Sequence, residues 1–176
     1  MSRQIAFLRA INVGGRTVKM ERLRQIFEAM GFANVETFIA SGNVIFDAEP
    51  NDGLALQIEA GLKQALGFEV ATFVRSAAAL AAIVARQSAF GELPEQAGLY
   101  IGFAAAPVSA QAQQKLAAFG SPVDEFQFEG TEIYWLCRDR FSDSMFSGPL
   151  LEKTIGMPLT VRNSTTVRKI AAKYPA

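Results

Sequence analysis

Twice along this chain the spacing of apolar residues changes in one order: strand, helix, two strands, helix, strand. Residues 4–8 (QIAFL) read as a strand, followed by the loop Ile11-Asn12-Val13-Gly14-Gly15-Arg16. From 20 to 30 the period is helical. Leu23, Ile26, Phe27 and Met30 fall on one face, and Arg22, Arg24, Gln25 and Glu28 on the other. Gly31 stands where a helix-ending left-handed residue belongs. Residues 35–40 (VETFIA) and 44–47 (VIFD) read as strands joined by the turn Ser41-Gly42-Asn43. Pro50-Asn51-Asp52 opens a second helix, with Ile58, Leu62, Ala65 and Leu66 inward and Gly67 closing it. Residues 68–74 (FEVATFV) complete the set. This is the split βαβ order of ferredoxin-like folds.

Ser76 is placed to cap an Ala-rich helix through residue 86, with Leu80, Ile83 and Val84 on its buried stripe. A loop-like stretch spans 87–98, and the pattern then repeats. Residues 99–103 form a strand and 109–119 a helix. Residues 126–129 and 132–138 form a hairpin across Gly130-Thr131, residues 149–155 a short helix, and 159–161 a strand. A last helix covers 164–173, with Val167, Ile170, Ala171 and Tyr174 apolar. The expected class is α+β: two ferredoxin-like halves packed together, plus a C-terminal helix. The halves are expected near 1–76 and 97–176, joined by a helix and loop at 77–96. Only element order repeats; the halves share no strong identity.

Composition narrows the chemistry. The 176 residues contain no histidine and one cysteine. Without histidine there is no Ser-His-Asp or Cys-His pair, no HExxH zinc site and no two-His-one-carboxylate iron site. Cys137 lies in the apolar run IYWLC, where a small buried thiol is expected, and one thiol forms no internal disulfide. Half the residues are hydrophobic and 19% are charged, which excludes a disordered polyelectrolyte. The N-terminus shows no signal-peptide pattern, and no apolar stretch approaches the ~18 residues that span a bilayer. The expected compartment is the cytoplasm, with no membrane partner, no metal and no cofactor.

Charge is balanced overall, 17 basic against 17 acidic residues, but not locally. Residues 1–24 carry a net +5, residues 153–176 a net +5, and residues 77–130 a net −3. Two basic ends and an acidic middle suggest a polarised surface; the alternative is that solvated helix faces simply carry Arg and Lys. The zero total weighs against a dedicated nucleic-acid binder.

Three segments carry candidate chemistry. The first, Leu8 through Gly15, leaves a strand, passes two glycines and feeds a helix; Arg9, Arg16 and Lys19 add positive charge. Glycine allows close approach and a helix start offers free N–H groups to an anion, although the run is neither GxGxxG nor a P-loop. A tight connection that needs glycine for geometry alone explains the same residues. Ser41-Gly42-Asn43 suits a hairpin turn, and antiparallel pairing of the first and third strands would bring it beside the glycine loop. Arg162-Asn163-Ser164-Thr165-Thr166-Val167-Arg168 opens the last helix, where one cap residue does not account for so many polar groups. Catalytic patterns are absent: neither ExxE spacing (Glu92 with Glu95, Glu129 with Glu132) stacks two carboxylates on a helix, and no SxxK occurs.

The run FLRAINVGGRTVKMERLRQIFEAMGFANVETFIASGNVIF resembles the opening of an uncharacterised bacterial family, a domain of unknown function. Its members begin with an LLRGINVGG-type stretch, continue through KM to an SGNVVF-type hairpin and close on a TTRNWNTV-type pattern, which LTVRNSTTVRKIAAKY resembles. The resemblance spans 1–176 as one family domain. It implies two ferredoxin-like halves and no established activity. The matching positions are Arg9, Asn12, Gly14, Gly15, Lys19, Ser41, Gly42, Asn43, Arg162 and Asn163, with Arg168 beside them; Ala10 and Ser164 depart from the pattern, standing where Gly and Trp are usual.

The expectation for function is a binding module for a small anionic, phosphate-bearing ligand. Its contacts would come from Arg9, Asn12, Gly14, Gly15, Arg16, Lys19, Ser41, Asn43, Arg162, Asn163 and Arg168, converging in one site, with no catalytic residue assigned. The alternatives are an interaction or structural module, or an enzyme working by Arg/Lys electrostatics without histidine. The sequence leaves the oligomeric state open.

Overall fold

A computed structural model describes residues 1–12, 14–39 and 42–176. Val13, Ala40 and Ser41 lie outside the described residues, and with them the sequence-based assignments of Ser41 to a turn and of Ala40 to a strand end. The chain divides into two compact units, one of residues 1–82 with 170–176 and the other of residues 83–169.

The first unit contains β1 (Ser2–Leu8), α1 (Met20–Ala29), β2 (Ala33–Thr37), β3 (Asn43–Ala48), α2 (Leu54–Leu66) and β4 (Thr72–Ser76). Its sheet order is β2-β3-β1-β4, antiparallel throughout. That is the order a split βαβ unit requires, because each helix crosses over one intervening strand. Ile5, Ala6, Phe7 and Leu8 are all fully buried, as are Val44, Ile45 and Phe46. With both faces of the central strands out of solvent, the sequence there is a continuous apolar run rather than an alternation. Leu23, Ile26 and Phe27 of α1 and Leu54, Ile58 and Leu62 of α2 pack onto Ala6, Leu8, Val44 and Phe46. The apolar face expected for α2 is narrower than the sequence suggests: Ala65 is exposed and Leu66 only partly buried. Its small side chain lets Ala65 face water at little cost.

The second unit contains β5 (Gly98–Ala104), α4 (Ala110–Ala118), β6 (Asp124–Glu129), β7 (Glu132–Cys137), α5 (Gly148–Ile155) and β8 (Leu159–Asn163), with sheet order β6-β7-β5-β8. Its core is aromatic: Trp135, Phe146 and Phe126 meet at centroid distances of 4.9–6.5 Å. Asp124 fastens this region, accepting hydrogen bonds from Trp135 Nε1 (2.8 Å), Ser144 Oγ (2.7 Å) and Ser121 Oγ (2.6 Å). Two helices begin in one unit and end in the other: α3 (Ala77–Gln87) and α6 (Ser164–Lys173). Ser76 Oγ accepts the Ala79 N–H at 3.1 Å, capping α3 as the sequence suggests, and Val84 is only partly buried.

Candidate functional site

In the first unit, the end of β1 that leads into the glycine loop lies beside Gly42 and Asn43. Phe7 pairs with Asn43, the Leu8 N–H donates to the Gly42 carbonyl at 2.8 Å, and the Arg9 N–H donates to the Ala71 carbonyl at 2.9 Å. Asn12 Oδ1 accepts the Val18 N–H at 2.7 Å, which ties the loop down just before α1. Gly14 and Gly15 adopt φ of +65° and +80° in open space, so glycine is required there for backbone conformation and not for lack of room. Arg16 lies over the Phe68 ring at 4.3 Å, and Lys19 is exposed. Asn43 is completely buried, and its Nδ2 donates to the Phe38 carbonyl at 2.9 Å across the connection between β2 and β3.

Much of the basic N-terminal block is locally compensated. Arg3 pairs with Asp47 at 2.7 Å, and Arg24 pairs with Glu21 and Glu28 on its own helix. At the C-terminus, Tyr174 donates its hydroxyl to Glu36 Oε2 at 2.7 Å, and Lys173 stands 3.5 Å from the same carboxylate. That hydroxyl is the main cause that holds Glu36 below the usual carboxylate range; burial opposes it, and the Lys173 charge adds to the lowering.

The second unit holds a pocket of about 430 Å³ at the junction of β8 and α6. Gln87, Tyr100, Asn163, Ser164, Thr165 and Arg168 supply its polar lining. Two of the eleven candidate residues, Asn163 and Arg168, line it, and they play different parts. Asn163 ends β8 opposite Tyr100, and its Oδ1 caps α6 by accepting the Thr166 N–H at 2.8 Å. That leaves the Ser164 and Thr165 N–H groups as donors for which the helix itself has no acceptor. Arg168, one turn further on, is exposed and reaches Thr165 Oγ1 at 3.3 Å. Arg162, by contrast, points away from water. It is 8% exposed, its Nη1 donates to Thr160 Oγ1 (2.7 Å) and the Val161 carbonyl (3.0 Å), and burial lowers its pKa to about 10.

Two pocket residues have no counterpart among the sequence-based candidates. Gln87, the last residue of α3, is 6% exposed, and neither its Nε2 nor its Oε1 has a hydrogen-bond partner. Tyr100 lies with its ring end against Gly98, where a Cβ would come within 2.8 Å of the hydroxyl, and burial pushes this phenol up. Periodicity gives no signal for either, since one ends an Ala-rich helix and the other sits in an apolar strand. Among the described residues lining the pocket there is no carboxylate, so Arg168 and the helix start act unopposed on whatever enters. No cluster of three or more His, Cys, Asp or Glu fit to hold a metal occurs among the described residues, and no helix of these is long and apolar enough to cross a membrane.

The fold defines an α+β protein of two ferredoxin-like units, each a four-stranded antiparallel sheet, with a C-terminal helix. The chain belongs to the DUF1697 family of proteins of unknown function, whose model matches residues 1–134. It is similar in structure to the conserved bacterial protein SP0830 from Streptococcus pneumoniae, with a TM-score of 0.67 and 23% identity over 97% of each chain. No curated protein matches the sequence. The pocket residues 163–168 lie beyond the stretch that the family model matches.

Proposed function

We propose that this protein binds a small, phosphate-bearing ligand and that the pocket at the start of α6 is its seat. The observation that carries the reading is the donor set at that pocket: the opening N–H groups of α6, the Arg168 guanidinium and the Tyr100 hydroxyl, with no acidic group among the described lining residues. A helix N-terminus with a fork of arginine donors suits the tetrahedral oxygens of a phosphate. The volume falls within the roughly 300–1,000 Å³ of small-molecule sites. The lining offers hydroxyls at Tyr100, Ser164 and Thr165 and, among the described residues, no carboxylate, lysine or thiol, and the reading assigns no catalytic residue.

Arg9, Gly14, Gly15, Arg16 and Lys19 belong to the same reading as anion contacts of the first unit, where Gly14, Gly15, Arg16 and Lys19 are exposed and Arg9 is half-buried. A thermal-shift panel of inorganic phosphate, pyrophosphate, sugar phosphates and nucleotides tests the reading. A ligand at a hundred times its Kd stabilises the native state by about 2.7 kcal/mol. Arg168→Ala is expected to reduce the shift sharply, and Arg16→Ala reads the glycine loop independently. A panel without a single shift would refute the ligand reading and favour a structural or interaction role.

A further inference from the structure

A strand at the end of a sheet presents a row of unpaired backbone groups, and folds commonly blunt such an edge with a bulge, a cover or a charge. β2 loses register between Ala33 and Glu36, with Asn34 at φ +50°, and β8 keeps Leu159, Thr160 and Arg162 out of solvent. β6 has neither device, and its glutamates are neutralised by neighbours, Glu125 by Arg138 and Glu129 by Arg86. It ends the second unit's sheet, pairs with β7 in unbroken register, and is half-buried from Asp124 to Phe128. The Val123 carbonyl accepts the Arg138 N–H at 2.7 Å, so by antiparallel alternation Glu125, Gln127 and Glu129 bond toward β7. Asp124, Phe126 and Phe128 therefore turn their N–H and C=O groups outward. Ser121 Oγ accepts the Asp124 N–H at 3.2 Å, whereas no described strand lies beyond the two phenylalanines.

We propose that this edge pairs antiparallel with the same edge of a second copy of the chain, with the two-fold axis at Gln127. That register puts Phe126 opposite Phe128 of the second copy, and the reverse, so the outward groups of both residues pair. A two-fold axis normal to the sheet keeps each face on its own side, which brings the phenylalanine rings together on the face that the helices cover. There the aromatic row already breaks the surface: Phe126 meets Phe146 at 4.9 Å, Phe146 meets Phe119 at 5.1 Å, and Phe119 is 39% exposed. A second Phe128 ring extends this row and removes apolar surface from water. On the other face Glu125 comes opposite Glu129 of the second copy. Each brings its own arginine, so the four charges sum to zero, a match that a partner strand of one charge sign lacks.

Analytical ultracentrifugation of the full chain is expected to show a monomer–dimer equilibrium. The axis sets Gln127 against its own copy in a non-hydrogen-bonded pair, where Cα atoms lie about 4.5 Å apart, within disulfide reach. Gln127→Cys should therefore cross-link into a covalent dimer with oxidised glutathione, the native Cys137 being buried. Glu125→Cys should not, because its two copies lie four strand positions, about 13 Å, apart. Gln127→Lys should weaken the dimer several-fold at low salt and less at high salt, since like charges then meet at the axis. A chain that stays monomeric at every concentration overturns the proposal and leaves the edge to a strand of another protein. A dimer in which both cysteine variants cross-link, or neither does, overturns it as well, because the copies then meet by another face or in another register.

Discussion

Replacing Gly42 with alanine puts a methyl group where the chain has no room for one. The new Cβ would lie 2.8 Å from Ile11 Cγ2, 3.1 Å from Leu8 Cβ and 3.4 Å from the Leu8 carbonyl oxygen, in a backbone with φ of +83°. Ordinary carbon–carbon contacts lie at about 3.5–4.0 Å. Leu8 is fully buried and Ile11 is 2% exposed, so neither can swing away. Gly15 supplies the control, because its φ of +80° is nearly the same and nothing lies within 4 Å of its added Cβ. Both substitutions incur the left-handed penalty of about 1–2 kcal/mol, offset by about 0.4–1 kcal/mol from the reduced freedom of the unfolded chain. Gly15→Ala should therefore cost about 0.5–1.5 kcal/mol. Gly42→Ala adds an overpacking cost of about 1–3 kcal/mol and should reach about 2–4 kcal/mol. Urea denaturation followed by far-UV circular dichroism is the appropriate assay, since the single tryptophan, Trp135, belongs to the second unit and need not report on the first. Equal costs for the two variants, within about 0.5 kcal/mol, would refute the claim that the turn is closed against β1 by contact as well as by backbone conformation.

Other perturbations follow from single interactions. Ala10 adopts φ of +54°, so Ala10→Gly should stabilise the protein by about 0.5–1 kcal/mol, a rise of ~1–4 °C in melting temperature by calorimetry. Glu36 is held low chiefly by the Tyr174 hydroxyl, so its contribution to stability is present above the unfolded carboxylate value and is lost as pH falls through the lower folded one. Tyr174→Phe should move the Glu36 titration upward in carboxyl-carbon NMR; an unmoved titration would contradict the assignment. Cys137 is fully buried and donates to the Asp139 carbonyl at 3.2 Å, and burial is the main reason its thiol is pushed up. Native protein should react with a thiol reagent only on the time scale of its unfolding, and rapid native labelling would count against this.

Element order was legible in the sequence because each helix shows its period and each connection its turn residues; the ends of the central strands were not. Residues 4–8 stand out as a largely apolar run, yet β1 begins at Ser2, because Ser2 and Arg3 join the ladder opposite Ala48 and Asp47 with polar side chains that leave no apolar trace. Likewise the fourth strand was expected over residues 68–74 but forms at Thr72–Ser76. The apolar Phe68 and Val70 pack on the core without joining the ladder, and Arg75 and Ser76 join it while only half-buried. The candidate site was legible in proportion to how polar its residues are. Asn163 and Arg168 announce themselves by charge and capping pattern. Gln87 and Tyr100 do not, because what distinguishes them is burial, a property of the tertiary structure.

Arg162 and Arg168 belong to one sequence motif, and the fold assigns them opposite tasks. Arg162 is buried among its own strand's polar groups, so Arg162→Ala leaves the Thr160 hydroxyl and the Val161 carbonyl without that donor and opens a void. The cost of such a loss is about 2–4 kcal/mol, and the melting temperature should fall by several degrees. Arg168 is exposed and makes one long contact with Thr165, so Arg168→Ala should cost under about 0.5 kcal/mol. The order reverses for ligand. A charged hydrogen bond to phosphate contributes about 1.5–3 kcal/mol, so Arg168→Ala should weaken pyrophosphate binding tenfold or more. Measured below its own melting temperature, Arg162→Ala should bind pyrophosphate within a few-fold of the parent protein. Should Arg162→Ala instead melt normally and abolish binding, Arg162 would be a ligand contact, and its two strand hydrogen bonds would have to yield when the ligand arrives.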